Sequence, residues 1–347
     1  MGARAAGVET AVAVDIDPIL SSSFKINFPE SKLHLGDAAK LDRRKLERLL
    51  PNGADLVIGG APCQAFSEMG SNDPNDPRRK LVRQFFRVVA AVDPSAFVFE
   101  NVRGLAFEKN IEVLNTGLRA LPRHWKVLGP VLLDAADFGA ATRRKRLFLF
   151  GFNTRKAAVP SLRSLIEPLG NATNVRDAIS DLSGAVPSNT QRDGQFDQWQ
   201  YVPDVEPSNY AAQMRTTSGL FTGHAKTRHT ETTLARFANL APGRVDQIGR
   251  YPRLTWDGLC PTLRAGTGSE KGSFQAVRPI HPDEDRVITP REAARLQGFP
   301  DDFVFHPTIW HSCRMIGNSV SPIIAEALIG RVVSGAGLST TVSIAAE

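Results

Sequence analysis

Short apolar runs alternate with amphipathic stretches through the first half of the chain. The runs AVAV (11–14), DLVIGG (55–60), AFVF (96–99) and RLFLFGF (146–152) are too short for core helices and read as strands buried on both faces. Between them, Leu81, Phe85, Val88, Val89 and Val92 recur at helical spacing over 80–92, and Ile111, Leu114, Leu118 and Leu121 do so over 110–121. Strand–helix alternation of this kind predicts an α/β fold with a doubly wound, mostly parallel sheet.

The rhythm fades from about 185 to 285 into Gly-, Thr-, Ser-, Asn-, Gln- and Arg-rich sequence such as SNTQRDGQFDQWQYVPD, which predicts a second, loop-rich domain. It returns with TPREAARLQ (289–297) and SPIIAEALIGRVV (321–333), two helices opened by Thr-Pro and Ser-Pro. The expected organisation is a large domain over 1–184, an inserted domain over 185–285, and a return to the large domain over 286–347. No internal repeat is present.

Composition narrows the class. With 347 residues, 42% of them hydrophobic, the chain can build sizeable cores. No uninterrupted apolar window reaches the length needed to span a bilayer, and an acid arrives too early in MGARAAGVETAVAVDID for a secretory signal, so a cytoplasmic protein with no membrane partner is expected. The net charge of +6 suits a polyanionic partner. Three cysteines, Cys63, Cys260 and Cys313, lie far apart without CxxC spacing, so neither a disulfide framework nor a metal site is expected.

Two of the strands end in reactive groups. DLVIGG runs into Ala61-Pro62-Cys63-Gln64, and AFVF runs into Glu100-Asn101, so a thiol and a carboxyl group reach the carboxyl rim of the sheet, where open α/β folds bind ligands. Taken alone, Cys63 could equally be a structural thiol and Glu100 a solvated strand end. Together they suggest covalent catalysis with acid assistance.

GGAPCQAFS, FENVRGL, ATRRKRLFLFG, TPREAARLQGFP and IGNSVSP, in that order, resemble the motif series of the cytosine-C5 DNA methyltransferases. The resemblance spans roughly residues 11 to 335. It implies a methyl group transferred from S-adenosylmethionine to C5 of a cytosine flipped out of double-stranded DNA, with Cys63 adding to C6 and Glu100 acting at N3. Pro62 and Gln64 would lie on the catalytic loop and Asn101 beside the acid. Arg146 would bind the cytosine O2 edge while Arg144 steadies the site, although Thr142 stands where the family has glutamine. The resemblance also implies donor contacts from Asp15, Ile16, Asp37, Ala38, Leu81, Asn318 and Ser319, and a structural role for Arg291 and Arg295.

Residues 185–285 fall where that family keeps its target-recognition domain. Arg228, Arg236, Arg244, Arg250, Arg253 and Arg264 are candidate DNA contacts there, and Thr262 matches the segment that ends the domain near the base. The family's first motif, a strand with a Phe-x-Gly-x-Gly turn, has no counterpart here, which leaves apolar sheet edges to be covered by an upstream segment or a complementing polypeptide; a decayed gene is the third account. A restriction endonuclease is a further expected partner. The alternatives are a transfer-RNA cytosine-C5 methyltransferase and a non-catalytic DNA-binding subunit.

Overall fold

The computed structural model describes residues 1–60, 66, 76–170, 173–188, 196–266 and 278–339. Six strands carry the large domain: β1 (Val12–Asp15), β2 (Lys32–Leu35), β3 (Leu56–Gly59), β4 (Ala96–Val102), β5 (Trp125–Asp134) and β6 (Lys145–Asn153). In β4, Phe97 and Phe99 point to one face, where they meet Val82, Phe86 and Val89 of the helix Lys80–Val92 and Leu114 of the helix Glu108–Leu118. Ala96 and Val98 point to the other face, toward Ile324, Leu328 and Val332 of the helix Pro322–Ala336. Helices therefore cover both faces of the sheet, and the continuous apolar runs follow from that double burial.

β3 and β4 are parallel, whereas β6 runs antiparallel to both of its neighbours, β4 and β5. The reversal matters for function: the beginning of β6 lies at the carboxyl end of β4, with Val102 opposite Arg146. In the helix 80–92 the buried stripe is Val82, Phe86 and Val89, one position off the predicted centre, with Leu81 and Phe85 packed on its flank. Phe85 and Phe86 both meet Phe97 and Phe99, so two adjacent aromatic residues share the face.

The parallel pair β1–β2 is a separate sheet among the described residues. Among the described residues β1 bonds only to β2 and β3 only to β4, so each leaves one edge unpaired there, and both line a groove of about 500 Å³ together with Met1, Phe303 and Ile329. Val14 and Ile58 are 37% and 44% exposed there, values that a strand inside a continuous doubly wound sheet does not show.

The insertion carries a small antiparallel sheet of β7 (Val186–Pro187), β8 (Trp199–Gln200) and β9 (Leu220–Phe221), plus the helices Asn209–Met214 and Glu231–Ala238. One apolar cluster runs from Val175 through Phe221, Leu254 and Leu263 to Ala294 and Ile316, so the insertion shares a core with the segments before and after it.

Inside that cluster lies a charged knot. Arg295 donates to Asp301 at 2.6 and 2.7 Å and to Asp181 at 3.2 Å, and Asp181 also holds Arg215 at 2.9 Å. Arg291 caps the carbonyls of Thr222, Pro300 and Phe303. The paired arginines of TPREAARLQGFP thus tie the insertion to the large domain.

Among the described residues one stretch, Ile309–Ala336, is long and apolar enough to cross a membrane by length and composition alone. It is two helices, Ile309–Asn318 and Pro322–Ala336, and half of its most apolar window is buried within the fold.

Candidate active site

Glu100 lies near the carboxyl end of β4 and faces the start of β6, where Arg146 Nε lies 3.1 Å from its Oε1. A quarter of the glutamate side chain (24%) still reaches solvent. Loss of hydration is nevertheless the largest influence on the carboxyl group and raises its pKa, while Arg146 and then Arg144 pull the other way. The site thus favours a protonated, hydrogen-bond-donating carboxyl more than an ordinary surface glutamate does. Asn101, fully buried next to it, accepts from the amide of Val102 through its side-chain oxygen.

Pro62, Cys63 and Gln64 lie outside the described residues, but the chain on either side of Cys63 is pinned. At Gly60 a β-carbon would come within 2.2 Å of the Glu100 carbonyl oxygen, so the end of β3 lies directly against the glutamate. At Gly104 a β-carbon would come within 1.9 Å of the Phe66 carbonyl oxygen, and Phe66 is itself buried beneath the guanidinium of Arg79. Cys63 is three residues from each anchor, and three residues reach at most about 10 Å. Both anchors pack against the segment 100–104, the end of β4 and the turn that follows it.

Cys260, by contrast, is fully buried, and burial pushes its thiol up to about 12; burial raises Cys313 as well. Burial therefore disfavours the thiolate at both positions.

Arg144 is buried and works on the backbone. Its Nη1 donates to the carbonyl of Leu263 at 3.0 Å and its Nη2 to that of Gly317 at 2.7 Å, while its own amide donates to Asp134. Thr142 donates its hydroxyl hydrogen to the carbonyl of Cys260 at 3.1 Å, and Thr262 donates to that of Arg143 at 2.6 Å. The segment 260–265 is in this way laced to the start of β6.

The donor candidates separate into two groups. Asp15, at the end of β1, shares the groove with Asn318 and Ser319, the last residue and the C-cap of the helix Ile309–Asn318. Gln297 Nε2 fixes that helix end through the Ile316 carbonyl and Ser319. Ile16 is exposed just beyond β1. Asp37 and Ala38 follow β2 at the same edge: Gly36 donates to the Asp15 carbonyl, and Gln84, on the helix that carries Leu81, donates to that of Ala38. Leu81 packs on the core flank, so it touches this region through its helix.

An exposed acid beside an exposed isoleucine at the end of a parallel strand suits a ribose and an adenine, and the polar Asn318–Ser319 turn suits the amino-acid end of the donor. These residues fit S-adenosylmethionine on the sides they occupy. The bare edges of β1 and β3 form the rest of the wall.

The arginines of the insertion differ sharply in what they do. Arg253 is buried and paired with Asp285, and Arg236 holds the buried Asp246 at 2.7 Å, so both guanidinium groups act inside the protein. Arg228, Arg244, Arg250 and Arg264 are exposed, and among the described residues none of them has an ion-pair partner. Arg250 is one of two non-glycine residues held at positive φ (60°) among the described residues, at the tip of a hairpin closed by Asp246 and Tyr251. The sequence offered no way to sort these cations. It also passed over Gly60, Gly104 and Gly317, whose only signal was glycine beside a motif.

A doubly wound sheet with Glu100 and Arg146 paired on its carboxyl rim, and a loop-rich segment that presents exposed arginines, fits the nucleic-acid methyltransferase class. The C-5 cytosine-specific DNA methylase model matches residues 1–334, and the chain belongs to that family. It is 40% identical over 353 residues to the type II methyltransferase M.XorII of Xanthomonas oryzae pv. oryzae, covering 96% of this chain and 81% of that protein. M.DdeI of Desulfomicrobium norvegicum is 28% identical, with 95% and 85% covered. A prophage-encoded DNA modification methyltransferase from E. coli superposes with a TM-score of 0.81 at 34% identity, over 96% of this chain and 94% of that one. Dnmt2 of S. pombe shares the fold, with a TM-score of 0.62 over 96% and 94% of the two chains at 17% identity. The protein is a DNA (cytosine-5-)-methyltransferase that uses S-adenosylmethionine.

Proposed function

We propose that the protein methylates a cytosine flipped out of duplex DNA through a covalent bond between Cys63 and C6 of the base. The observation that supports this reading is the packing of Gly60 against Glu100 and of Phe66 against Gly104, the described residues three positions either side of Cys63, next to the Glu100–Arg146 pair.

Cytosine C5 is a poor nucleophile until something adds at C6. Addition of the Cys63 thiolate sends an electron pair through the ring to N3, where the carboxyl of Glu100 donates a hydrogen bond or a proton. The resulting enamine carries electron density at C5. The donor supplies an electrophilic methyl group at that position. Loss of the C5 proton and then of the thiolate restores the aromatic ring. Arg146, already fixed on Glu100, holds the O2 edge, and Pro62 and Gln64 would close over the base with the loop that bears Cys63. None of this chemistry can reach a base stacked in a helix, which is why flipping belongs to the reading.

Arg228, Arg250 and Arg264, with Arg244, contact DNA in this reading, whereas Arg253 supports the fold and Thr262 lies where the insertion returns to the base. Arg250→Ala is expected to reduce the slope of log K against log salt for duplex binding by about one. Arg253→Ala should leave that slope unchanged and lower the melting temperature; a slope equal to that of Arg250→Ala would remove the distinction. A strand seated in the groove between β1 and β3 would complete the wall of the donor site. A companion restriction endonuclease fits the type II relatives, and a cytoplasmic setting would follow.

The test is transfer of tritiated methyl from S-adenosylmethionine to duplex DNA and to transfer RNA in parallel, followed by bisulfite mapping of the DNA product. Label in DNA at cytosine C5 is expected. Label in RNA alone would sink this reading, and DNA binding without donor binding would favour a non-catalytic subunit.

A further inference from the structure

We infer that Gly317 is a positioning residue that sets the separation between the methyl donor and the target base; this rests on the reading of the site given above. Glycine is the poorest helix former after proline, yet Gly317 lies in the last turn of the helix Ile309–Asn318 and is not among the residues with positive φ. Conformational freedom therefore does not explain it.

Space does. A β-carbon at this position would lie 2.3 Å from the Ala265 amide nitrogen, 2.4 Å from the Arg264 carbonyl carbon and 2.6 Å from the Ala265 α-carbon. All three are backbone atoms, so no side chain can rotate away. Two backbones touch here. The helix end leads into Asn318 and Ser319 on the donor side. The segment 262–265 carries Thr262, bonded to Arg143, at the start of β6, whose Arg146 grips Glu100.

Arg144 bolts the two together, since one guanidinium bonds both the Leu263 and the Gly317 carbonyls. Gln297 and the turn at Ser319 hold the helix end from the opposite side. The donor side and the base side are thus separated by a direct backbone contact with no flexible spacer. A methyl group on residue 317 must move them apart by about 1 Å to reach ordinary contact, and a displacement of that size can cost about 10²-fold in rate.

The test compares wild type, Gly317→Ala and Arg144→Lys in steady-state methyl transfer to duplex DNA, with KM for DNA and for S-adenosylmethionine, a pH–rate profile and melting temperature recorded for each. Gly317→Ala is expected to lower kcat about 10²-fold with both KM values within a few-fold of wild type. Arg144→Lys keeps the charge near Glu100 but surrenders one of the two carbonyl bonds. It should lower kcat about tenfold and leave the alkaline limb of the profile in place, a result that keeps the inference testable if Gly317→Ala does not fold. Unchanged kcat in a folded Gly317→Ala, or a rise in KM alone, overturns the spacer. A shifted alkaline limb in Arg144→Lys would assign Arg144 to the electrostatics of Glu100 and overturn the bolt. Absence of transfer by wild type to any DNA would instead refute the proposed function and take the spacer down with it.

Discussion

Cys63→Ser is expected to abolish both methyl transfer and the trapping of a denaturation-resistant adduct on duplexes containing 5-fluorocytosine, while binding of those duplexes persists. Serine is about the right size, but its oxygen is almost wholly protonated at pH 7, so nothing adds to C6 and the ring is never activated. Adduct formation by this variant would exclude Cys63 as the nucleophile. Glu100→Gln keeps the shape and a hydrogen-bond donor but cannot release a proton to N3, and should lower kcat by about 10²–10⁴-fold. The pH dependence separates the two roles. Burial raises the Glu100 pKa above its ordinary value of 4.5. The acid form therefore persists to higher pH, and activity should fall on the alkaline side as that raised pKa is crossed. In Glu100→Gln this limb should vanish. The same shift acts on stability: the folded state holds the proton more tightly than the unfolded chain, so ionisation of Glu100 with rising pH works against folding.

The second large effect concerns stability. Asp301 is fully buried; it receives two bonds from Arg295, lies 3.6 Å from Arg291 and accepts the hydroxyl of Tyr201. Asp301→Ala strands two buried guanidinium groups, although Asp181 still meets Arg295. Removing one partner of a buried ion pair costs about 3–5 kcal/mol, much of it the exposure of the survivor to an apolar surrounding. The denaturation midpoint should drop accordingly. A double variant, Asp301→Leu with Arg295→Met, should lose less than the sum of the single replacements, because no charge of that pair is left without its partner. Additive losses would show that the knot is not an interacting unit. The knot ties the insertion to the large domain, so DNA affinity should decline together with stability.

Much of the catalytic rim was legible because strands buried on both faces announce themselves. AFVF and RLFLFGF fixed β4 and β6, and the residues just past or just before them, Glu100 and Arg146, meet at 3.1 Å. β5 was missed: WKVLGPVLLD is interrupted by Gly129-Pro130 and alternates too weakly to stand out from a loop. The stripe of the helix 80–92 was displaced because Phe85 and Phe86 are equally apolar and only the packing against Phe97 and Phe99 decides which goes deepest. The contrast between Arg250 and Arg253 was beyond reach, since it depends on Asp285, thirty-two residues from Arg253 in the chain. Gly60, Gly104 and Gly317 were invisible for a related reason: what matters is an atom that is missing, and only the neighbouring backbone shows why.

The open edges of β1 and β3 have a consequence for how the protein behaves in bulk. Unpaired backbone groups beside exposed Val14 and Ile58 form a template that any extended apolar segment can join, including one from another copy of the same chain. Natural sheets blunt such edges with charge or proline, and the sequences VAVD and LVIG carry only Asp15 for that purpose. Self-association through these edges would show as a solubility that depends on concentration, and covering them would bury Val14 and Ile58.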